Sequence, residues 1–275
     1  VLYSVLQDYR EGSGMPPLWK FLTFTLNLGY DAQHTRSFSH AWSLCIEEQF
    51  YLLLPLALSL IFLLKFQHKA IYLILALLVG ELFTRLFIWN TYIQPSETMG
   101  VGFVEKIYYP TYTRMDGLLI GIAIAAIWNY SSALKEFIIK YSNYFLLAGI
   151  LLFVIAYPFC STFISSNTAI YGFTLMSVAF GLMVMAAISP TCVIYKLKSK
   201  TTFVIATLSY SIYLSHKQIF HLFKDGIINI GIDPGSPWIF WICLVAACLG
   251  GLILYIVIEK PFFALRDKVL RNMSF

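Results

Sequence analysis

Residues 39–64 read SHAWSLCIEEQFYLLLPLALSLIFLL, and this stretch decides the class of the protein. After Glu48 it contains no charged residue up to Leu64, and an apolar run of this kind is close to the length that crosses a hydrocarbon core of roughly 30 Å. Two carboxylates, Glu47 and Glu48, stand at its start. Charged residues at the end of a membrane helix are costly to place and indicate a functional site. The alternative is that both acids only favour the positive N-terminal end of a helix.

The composition of the whole chain also indicates a membrane protein. Of its 275 residues, 59% are hydrophobic and only 12% are charged, whereas soluble domains carry about 25% charged residues. A chain so poor in charge cannot cover a water-facing surface. The sequence therefore predicts an all-α, polytopic transmembrane helical protein.

Seven segments have the length and apolar character of membrane helices. They are Glu47–Leu64, Ala70–Trp89, Pro110–Trp128, Asn143–Cys160, Thr168–Ser189, Thr202–Phe223 and Pro237–Ile258. An eighth and weaker segment, Trp19–Tyr30, is too short to span untilted. The fold prediction is thus seven to eight spans in a single membrane-embedded domain over residues 1–275.

The basic residues predict the topology. They concentrate in four groups that alternate with loops poorer in cations: Lys65 and Lys69; Lys135 and Lys140; Lys196, Lys198 and Lys200; and Lys260, Arg266, Lys268 and Arg271. Because cytoplasmic loops carry an excess of Lys and Arg, we expect these groups and the C-terminus in the cytoplasm, with the segment before Glu47 outside. The net charge of +5 is explained by this topology, and no nucleic-acid partner is predicted.

Ionisable residues inside the predicted helices mark a candidate site. At 1.5 Å rise per residue, four of them come within roughly 12 Å of the predicted outer interface. They are Glu47, Arg114, Asp116 and His216. Such groups usually face one another or a wet cavity, so the pattern indicates an acid, a base and a cation at one depth. The alternative is a set of structural ion pairs.

Two further features have a structural interpretation. Glu81 and Arg85 are one helical turn apart in an apolar segment, and this spacing predicts an ion pair that neutralises itself. The five cysteines show no metal-ligand spacing and are interpreted as small hydrophobic residues. No metal site is predicted.

Four landmarks follow one another along the chain. They are Trp42-Ser43-Leu44 with Glu47 and Phe50-Tyr51; Arg114-Met115-Asp116-Gly117; Ser209-Tyr210 with Tyr213-Leu214-Ser215-His216; and Glu259-Lys260-Pro261. In this order and spacing they resemble the membrane-bound acyltransferase-3 family, whose bacterial members O-acylate cell-surface polysaccharides and other exported molecules. The resemblance extends from about Trp19 to Arg266.

The resemblance implies a multi-pass O-acyltransferase of the bacterial cytoplasmic (inner) membrane. Its partners would be the lipid bilayer, an acyl-CoA donor (most often acetyl-CoA) and a glycan or glycolipid acceptor, with lipopolysaccharide, capsule and peptidoglycan among the acceptors left open. No tightly bound cofactor is implied. The basic group Lys196–Lys200 has two interpretations, attraction of CoA phosphates or topology, and topology is favoured.

Acyl transfer to a hydroxyl needs a base and a group that stabilises an oxyanion. By resemblance, Arg114 would bind an anionic donor group or the oxyanion, and Asp116 would hold Arg114. Glu47 would orient a histidine or the acceptor hydroxyl. His216 would be a secondary polar contact or, in this chain, the candidate base. The residues expected in supporting or substrate-binding roles are Trp42, Ser43, Glu48, Tyr51, Tyr210, Tyr213 and Glu259.

One departure from the family leaves alternatives open. The family's first helix carries a histidine and arginines thought essential for transfer, and nothing in this chain corresponds to them. The chain also begins at Val1 without a signal peptide, so the sequence predicts an N-terminally incomplete domain. A membrane carrier or flippase with an intramembrane polar path and a non-catalytic remnant are the competing hypotheses.

Overall fold

The computed structural model describes residues 14–35, 37–65, 70–197, 199–229, 233 and 235–273. It is 81% helical and contains no strand among these residues, which confirms the predicted all-α class. Lys69 and Lys198 of the predicted cytoplasmic loops lie outside the described residues. Two compact units are formed, one by residues 14–197 and one by residues 199–273.

The α-helices of the first unit are, in chain order, α1 (Leu18–Leu22), α2 (Trp42–Leu63), α3 (Ala70–Ile88), α4 (Met99–Phe103), α5 (Asp116–Tyr130), α6 (Ser132–Lys140), α7 (Ser142–Ser161), α8 (Phe173–Ala187) and α9 (Val193–Lys196). Wider π-helical turns adjoin three of them, at Trp89–Ile93, Val104–Tyr108 and Thr168–Gly172. The 3₁₀ turn Ser39–Ala41 leads into α2, and the 3₁₀ turn Thr111–Thr113 leads towards α5.

The second unit consists of α10 (Lys200–Asn229), α11 (Pro237–Leu254) and α12 (Lys260–Met273), with a π-helical turn at Tyr255–Glu259 between the last two. Close packing of α10 on α11 depends on glycine. A Cβ atom at Gly251 would lie 2.4 Å from Ile212 Cγ1 and 2.9 Å from Ile212 Cα. Only a residue without a side chain lets the two backbones approach this closely.

Each of the seven predicted segments overlaps a helix, but the third, Pro110–Trp128, becomes helical only at Asp116, so that Arg114 lies before the helix and not inside it as predicted. Among the described residues, five stretches have the length and hydropathy of a span: Ser39–Leu63, Ala70–Ile93, Ser142–Ser161, Thr168–Ala187 and Pro237–Arg271. The pair α5 and α6, bent by 106°, makes up to six. The remaining predicted segment, within α10, is long enough at 30 residues, but its hydroxyl, histidine and lysine residues reduce its hydropathy. The chain is a multi-pass membrane protein.

The weaker segment Trp19–Tyr30 forms only a short helix, which ends at Leu22. Phe24 takes a left-handed backbone conformation with φ of 53°, which is incompatible with continuing a right-handed helix. The chain then turns back, and Lys20 Nζ donates to the carbonyl oxygens of Leu28 at 3.1 Å and Gly29 at 3.0 Å. These bonds fix the turn beside α1.

Candidate active site

The first residue of α2 contacts the segment that leads to α5. The Trp42 ring stacks on Tyr109, with centroids 5.4 Å apart and an interplanar angle of 21°. It also lies 4.9 Å from the Tyr108 ring. The tryptophan of the first landmark therefore packs against the tyrosines that lie just before the second landmark.

Arg114 lies among three aromatic rings. Its Cζ atom is 3.9 Å from the ring centroid of Phe173, 5.1 Å from that of Tyr108 and 5.5 Å from that of Trp42. These distances place the guanidinium within cation–π range of each ring. Within the described part of the chain, its side chain has no carboxylate partner and no hydrogen bond. A half-buried arginine with unused N–H donors is suited to bind an anion.

A buried charge network involves the helices α3, α5 and α8. Arg85, whose side chain is 0% exposed, donates from Nη1 to Asp116 Oδ2 at 3.5 Å and from Nη2 to Thr174 Oγ1 at 2.6 Å. Thr174 Oγ1 donates to Asp116 Oδ2 at 3.3 Å. Glu81 Oε1 lies 3.8 Å from Arg85 Nη2. The predicted Glu81–Arg85 pair is present, but the shorter contacts of Arg85 are to the other two helices.

The direct partner of Asp116 differs from the prediction. The sequence assigned this carboxylate to Arg114, whereas the structure pairs it with Arg85. Arg114 lies before the helix, which begins at Asp116, and no direct ion pair joins the two among the described residues. Arg85 reaches Asp116 because α3 packs beside α5, a tertiary contact that sequence spacing does not reveal.

The start of α5 is held by two carboxylates. Glu81 Oε1 accepts the backbone N–H of Met115 at 3.1 Å. Asp116 Oδ1 accepts the N–H of Gly117 at 2.9 Å, and an acid at a helix N-terminus is favoured by the helix dipole. Sequence reasoning missed Glu81, Arg85 and Thr174 as parts of this site. The available signal was the presence of two ionisable residues inside an apolar helix.

In the first landmark, Gln49 makes the hydrogen bonds that hold the start of α2 to neighbouring segments, whereas the predicted acid Glu47 makes none among the described residues. Its Nε2 atom donates to Phe24 O at 2.5 Å and to Asn27 Oδ1 at 2.9 Å, and its Oε1 accepts from Thr111 Oγ1 at 2.6 Å. Glu47 is half-buried and has no hydrogen-bond partner among the described residues, while Glu48 is exposed. Of the other predicted supporting residues here, Ser43 is half-buried and Tyr51 is exposed.

The second unit holds the remaining predicted residues. The Nδ1–H of His216 donates to Tyr213 O at 2.7 Å, and the two rings lie 5.8 Å apart. Glu259 Oε1 accepts from Ser211 Oγ at 2.6 Å, which ties α10 to the π-helical turn after α11. Tyr210 is exposed. The catalytic roles of these residues, like that of Glu47, stay predictions.

Comparison with known proteins identifies the family. A family model described as an acyltransferase domain matches residues 1–257. The chain belongs to this acyltransferase family. The family resemblance is thereby confirmed, and the match includes the first three of the four landmarks.

Individual members of the acyltransferase family agree with this assignment. The O-acetyltransferase OatA of Staphylococcus aureus (strain NCTC 8325 / PS 47) is 30% identical over 243 residues, which cover 86% of this chain and 37% of the relative. A putative O-acetyltransferase of S. aureus strain COL is 27% identical over 229 residues, covering 81% of this chain and 36% of the relative. The chain thus spans little more than a third of the length of these relatives. No solved structure matches the chain.

Proposed function

We propose that this chain is the membrane-embedded part of an O-acyltransferase of the bacterial cytoplasmic membrane. It would move an acyl group, in our proposal acetyl, from acyl-CoA to a hydroxyl of an exported glycan or glycolipid. Membership of the acyltransferase family and the O-acetyltransferase relatives support the reaction class. The acceptor class follows from the family resemblance.

The observation that carries the proposal is the environment of Arg114. Three aromatic rings hold its guanidinium, and it forms no direct ion pair with a carboxylate among the described residues. Fixed N–H donors in a site of low dielectric stabilise developing negative charge far better than water-exposed donors do. Arg114 would therefore bind the thioester oxygen as it becomes an oxyanion, or an anionic group of the donor.

The proposed reaction is one nucleophilic substitution at the thioester carbonyl. A base takes the proton of the acceptor hydroxyl, and the hydroxyl oxygen forms a bond to the carbonyl carbon. The carbon–sulfur bond then breaks, and the CoA thiolate leaves and is protonated. We assign Glu47 to orienting the acceptor or a histidine, and His216 to a polar contact or to the role of base.

The test is acyl transfer from isotope-labelled acetyl-CoA in membranes that contain the protein as it is naturally expressed. We expect Arg114→Ala to lower the rate about 100- to 1000-fold, the loss typical of removing an oxyanion donor. Arg266→Ala is the matched control, since Arg266 is exposed and its contacts among the described residues are the ion pair with Asp267 and the nearby Phe263 ring. An Arg114→Ala protein as active as the control would refute the assigned site.

The carrier hypothesis is favoured by one observation, the buried network of Glu81, Arg85 and Asp116. Intramembrane ionisable groups of this kind also occur along the polar paths of transporters. The same labelled substrate separates the two functions. An acyltransferase moves the label onto an acceptor, whereas a carrier moves a solute and leaves the acyl-CoA intact.

A further inference from the structure

We propose that Arg85 and Glu81 of α3 are positioning residues for Arg114: by holding the start of α5 and the start of α8, they fix its guanidinium over the Phe173 ring with the N–H donors available to an anion. This inference rests on the proposed function for its catalytic consequence. Its structural part, the position of Arg114, is testable separately.

The first step is that α3 holds α5 at the two residues that follow Arg114. Glu81 Oε1 accepts the Met115 N–H at 3.1 Å, and Arg85 Nη1 lies 3.5 Å from Asp116 Oδ2. Both contacts are buried, with side-chain exposures of 4% for Glu81, 0% for Arg85 and 5% for Asp116. The backbone from which the Arg114 side chain extends is therefore fixed by α3.

The second step is that the same arginine holds the surface on which Arg114 lies. Arg85 Nη2 donates to Thr174 Oγ1 at 2.6 Å, and Thr174 directly follows Phe173. The Phe173 ring centroid is 3.9 Å from Arg114 Cζ and 5.9 Å from Arg85 Cζ. Arg85 thus contacts Asp116, two residues after Arg114, and Thr174, the residue after Phe173. It is bonded close to both partners of the Arg114–Phe173 contact.

The third step concerns the atoms that the network leaves unsatisfied. Glu81 Oε2 and Arg85 Nε are buried and have no hydrogen-bond partner among the described residues. Unsatisfied buried polar atoms are rare and call for an explanation. Stability alone does not provide one, since apolar residues of the same volume are often as stable as a buried ion pair. A role in aligning Arg114 explains why charge is kept here.

A double-mutant cycle tests the inference. Acyl transfer is measured for the wild type, Arg85→Lys, Arg114→Ala and the double variant, with kcat and KM for acetyl-CoA determined in each. Lysine keeps the charge but replaces the planar guanidinium fork, which places one nitrogen on Asp116 and another on Thr174, with a single ammonium on a flexible stem. We expect Arg85→Lys to lower kcat/KM at least ~10-fold, since small misplacements cost this much or more, and to have no further effect once Arg114 is alanine.

An equal loss in both backgrounds, or no loss in either, would overturn the inference. Thr84→Val is the matched control, because Thr84 neighbours Arg85 on α3 and, within the described ranges, its hydroxyl donates only to Gly80 O. Should Arg85→Lys fail to accumulate in membranes, Thr174→Val replaces it in the same cycle. This change removes the bridging hydroxyl without leaving a charge unpaired, and the same dependence on Arg114 is expected.

A second measurement separates this inference from the proposed function. Phenylglyoxal modifies accessible guanidinium groups, and mass spectrometry quantifies its addition to Arg114 without any assay of transfer. We expect the rate of phenylglyoxal addition to Arg114 to change several-fold in Arg85→Lys and to equal the wild-type rate in Thr84→Val. Unchanged labelling of Arg114 in Arg85→Lys would refute the positioning role. If the labelling changes but the wild-type protein transfers no acyl group, only the proposed reaction is refuted.

Discussion

At the residue scale, Arg114 shows how a cation can be held in a membrane protein by aromatic rings without a direct ion pair among the described residues. A carboxylate partner would occupy its N–H donors and cancel its charge. Aromatic faces stabilise a guanidinium by about 0.5–2 kcal/mol and leave the donors in the plane of the group unused. The Phe173 ring, 3.9 Å from Cζ, is the nearest of the three faces.

This argument predicts the effect of Phe173→Leu. Leucine keeps an apolar side chain but removes the ring face, so the guanidinium loses its nearest cation–π contact. We expect acyl transfer from labelled acetyl-CoA to fall about 10-fold, equivalent to about 1.4 kcal/mol, with little change in the amount of protein in the membrane. Phe180→Leu, at an exposed position of the same helix, is the control. Equal activities of the two variants would show that the ring does not contribute.

The site could be predicted from the sequence only in part, and the reason is physical. Arg114 was predicted because a cation in an apolar segment is unusual in itself, and Trp42 because it belongs to the first of the four landmarks. The partner of Asp116 was assigned wrongly, since it depends on how α3 packs beside α5. Gln49 and Thr174 gave no signal, because a single neutral polar side chain is common in membrane helices.

At the element scale, the surrounding lipid explains why the long apolar segments form helices. In lipid every backbone polar group needs an internal partner, so a long apolar run predicts a helix with little ambiguity. The interruptions are set by local backbone effects that hydropathy does not detect. Examples are the left-handed Phe24 that ends α1 and the 106° bend between α5 and α6, where Ser131 Oγ accepts the Leu134 N–H at 3.4 Å.

Packing between elements predicts the effect of Gly251→Ala. Its new Cβ would lie 2.9 Å from the Ile212 Cα atom, and backbone cannot move aside as a flexible side chain can. We expect α11 to shift away from α10 and the protein to lose about 1–3 kcal/mol of stability, as in other overpacked sites. Thermal unfolding in detergent measures this loss.

Gly121→Ala is the control for that measurement. A Cβ atom at Gly121 in α5 meets nothing within 4 Å, and alanine has the higher helix propensity. This variant should unfold at or slightly above the temperature of the wild type. If Gly251→Ala behaved like Gly121→Ala, the contact between α10 and α11 would be looser than the structure describes.

At the scale of the whole molecule, the number of spans depends on α10 and on the bent pair of α5 and α6. Five helical stretches and the bent pair of α5 and α6 qualify as spans by length and hydropathy, and α10 qualifies by length alone. Its polar residues include Ser211, which bonds to Glu259 at 2.6 Å. A polar face satisfied inside the protein lowers mean hydropathy without preventing a helix from crossing the bilayer.

Labelling of introduced cysteines on the two sides of the membrane tests this count. Gln33 lies before α2 and Lys268 lies in α12, and both positions are exposed. If α10 crosses the bilayer and the bent pair of α5 and α6 also crosses it once, an odd number of spans separates the two positions, and they face opposite sides. We expect a membrane-impermeant maleimide to label Gln33→Cys in intact cells and to label Lys268→Cys only after the membrane is opened, since the basic groups indicate a cytoplasmic C-terminus. The chain without introduced cysteines gives the background of its five native thiols. Labelling of both positions in intact cells would mean an even number of spans, so that either α10 or the bent pair of α5 and α6 does not cross the bilayer.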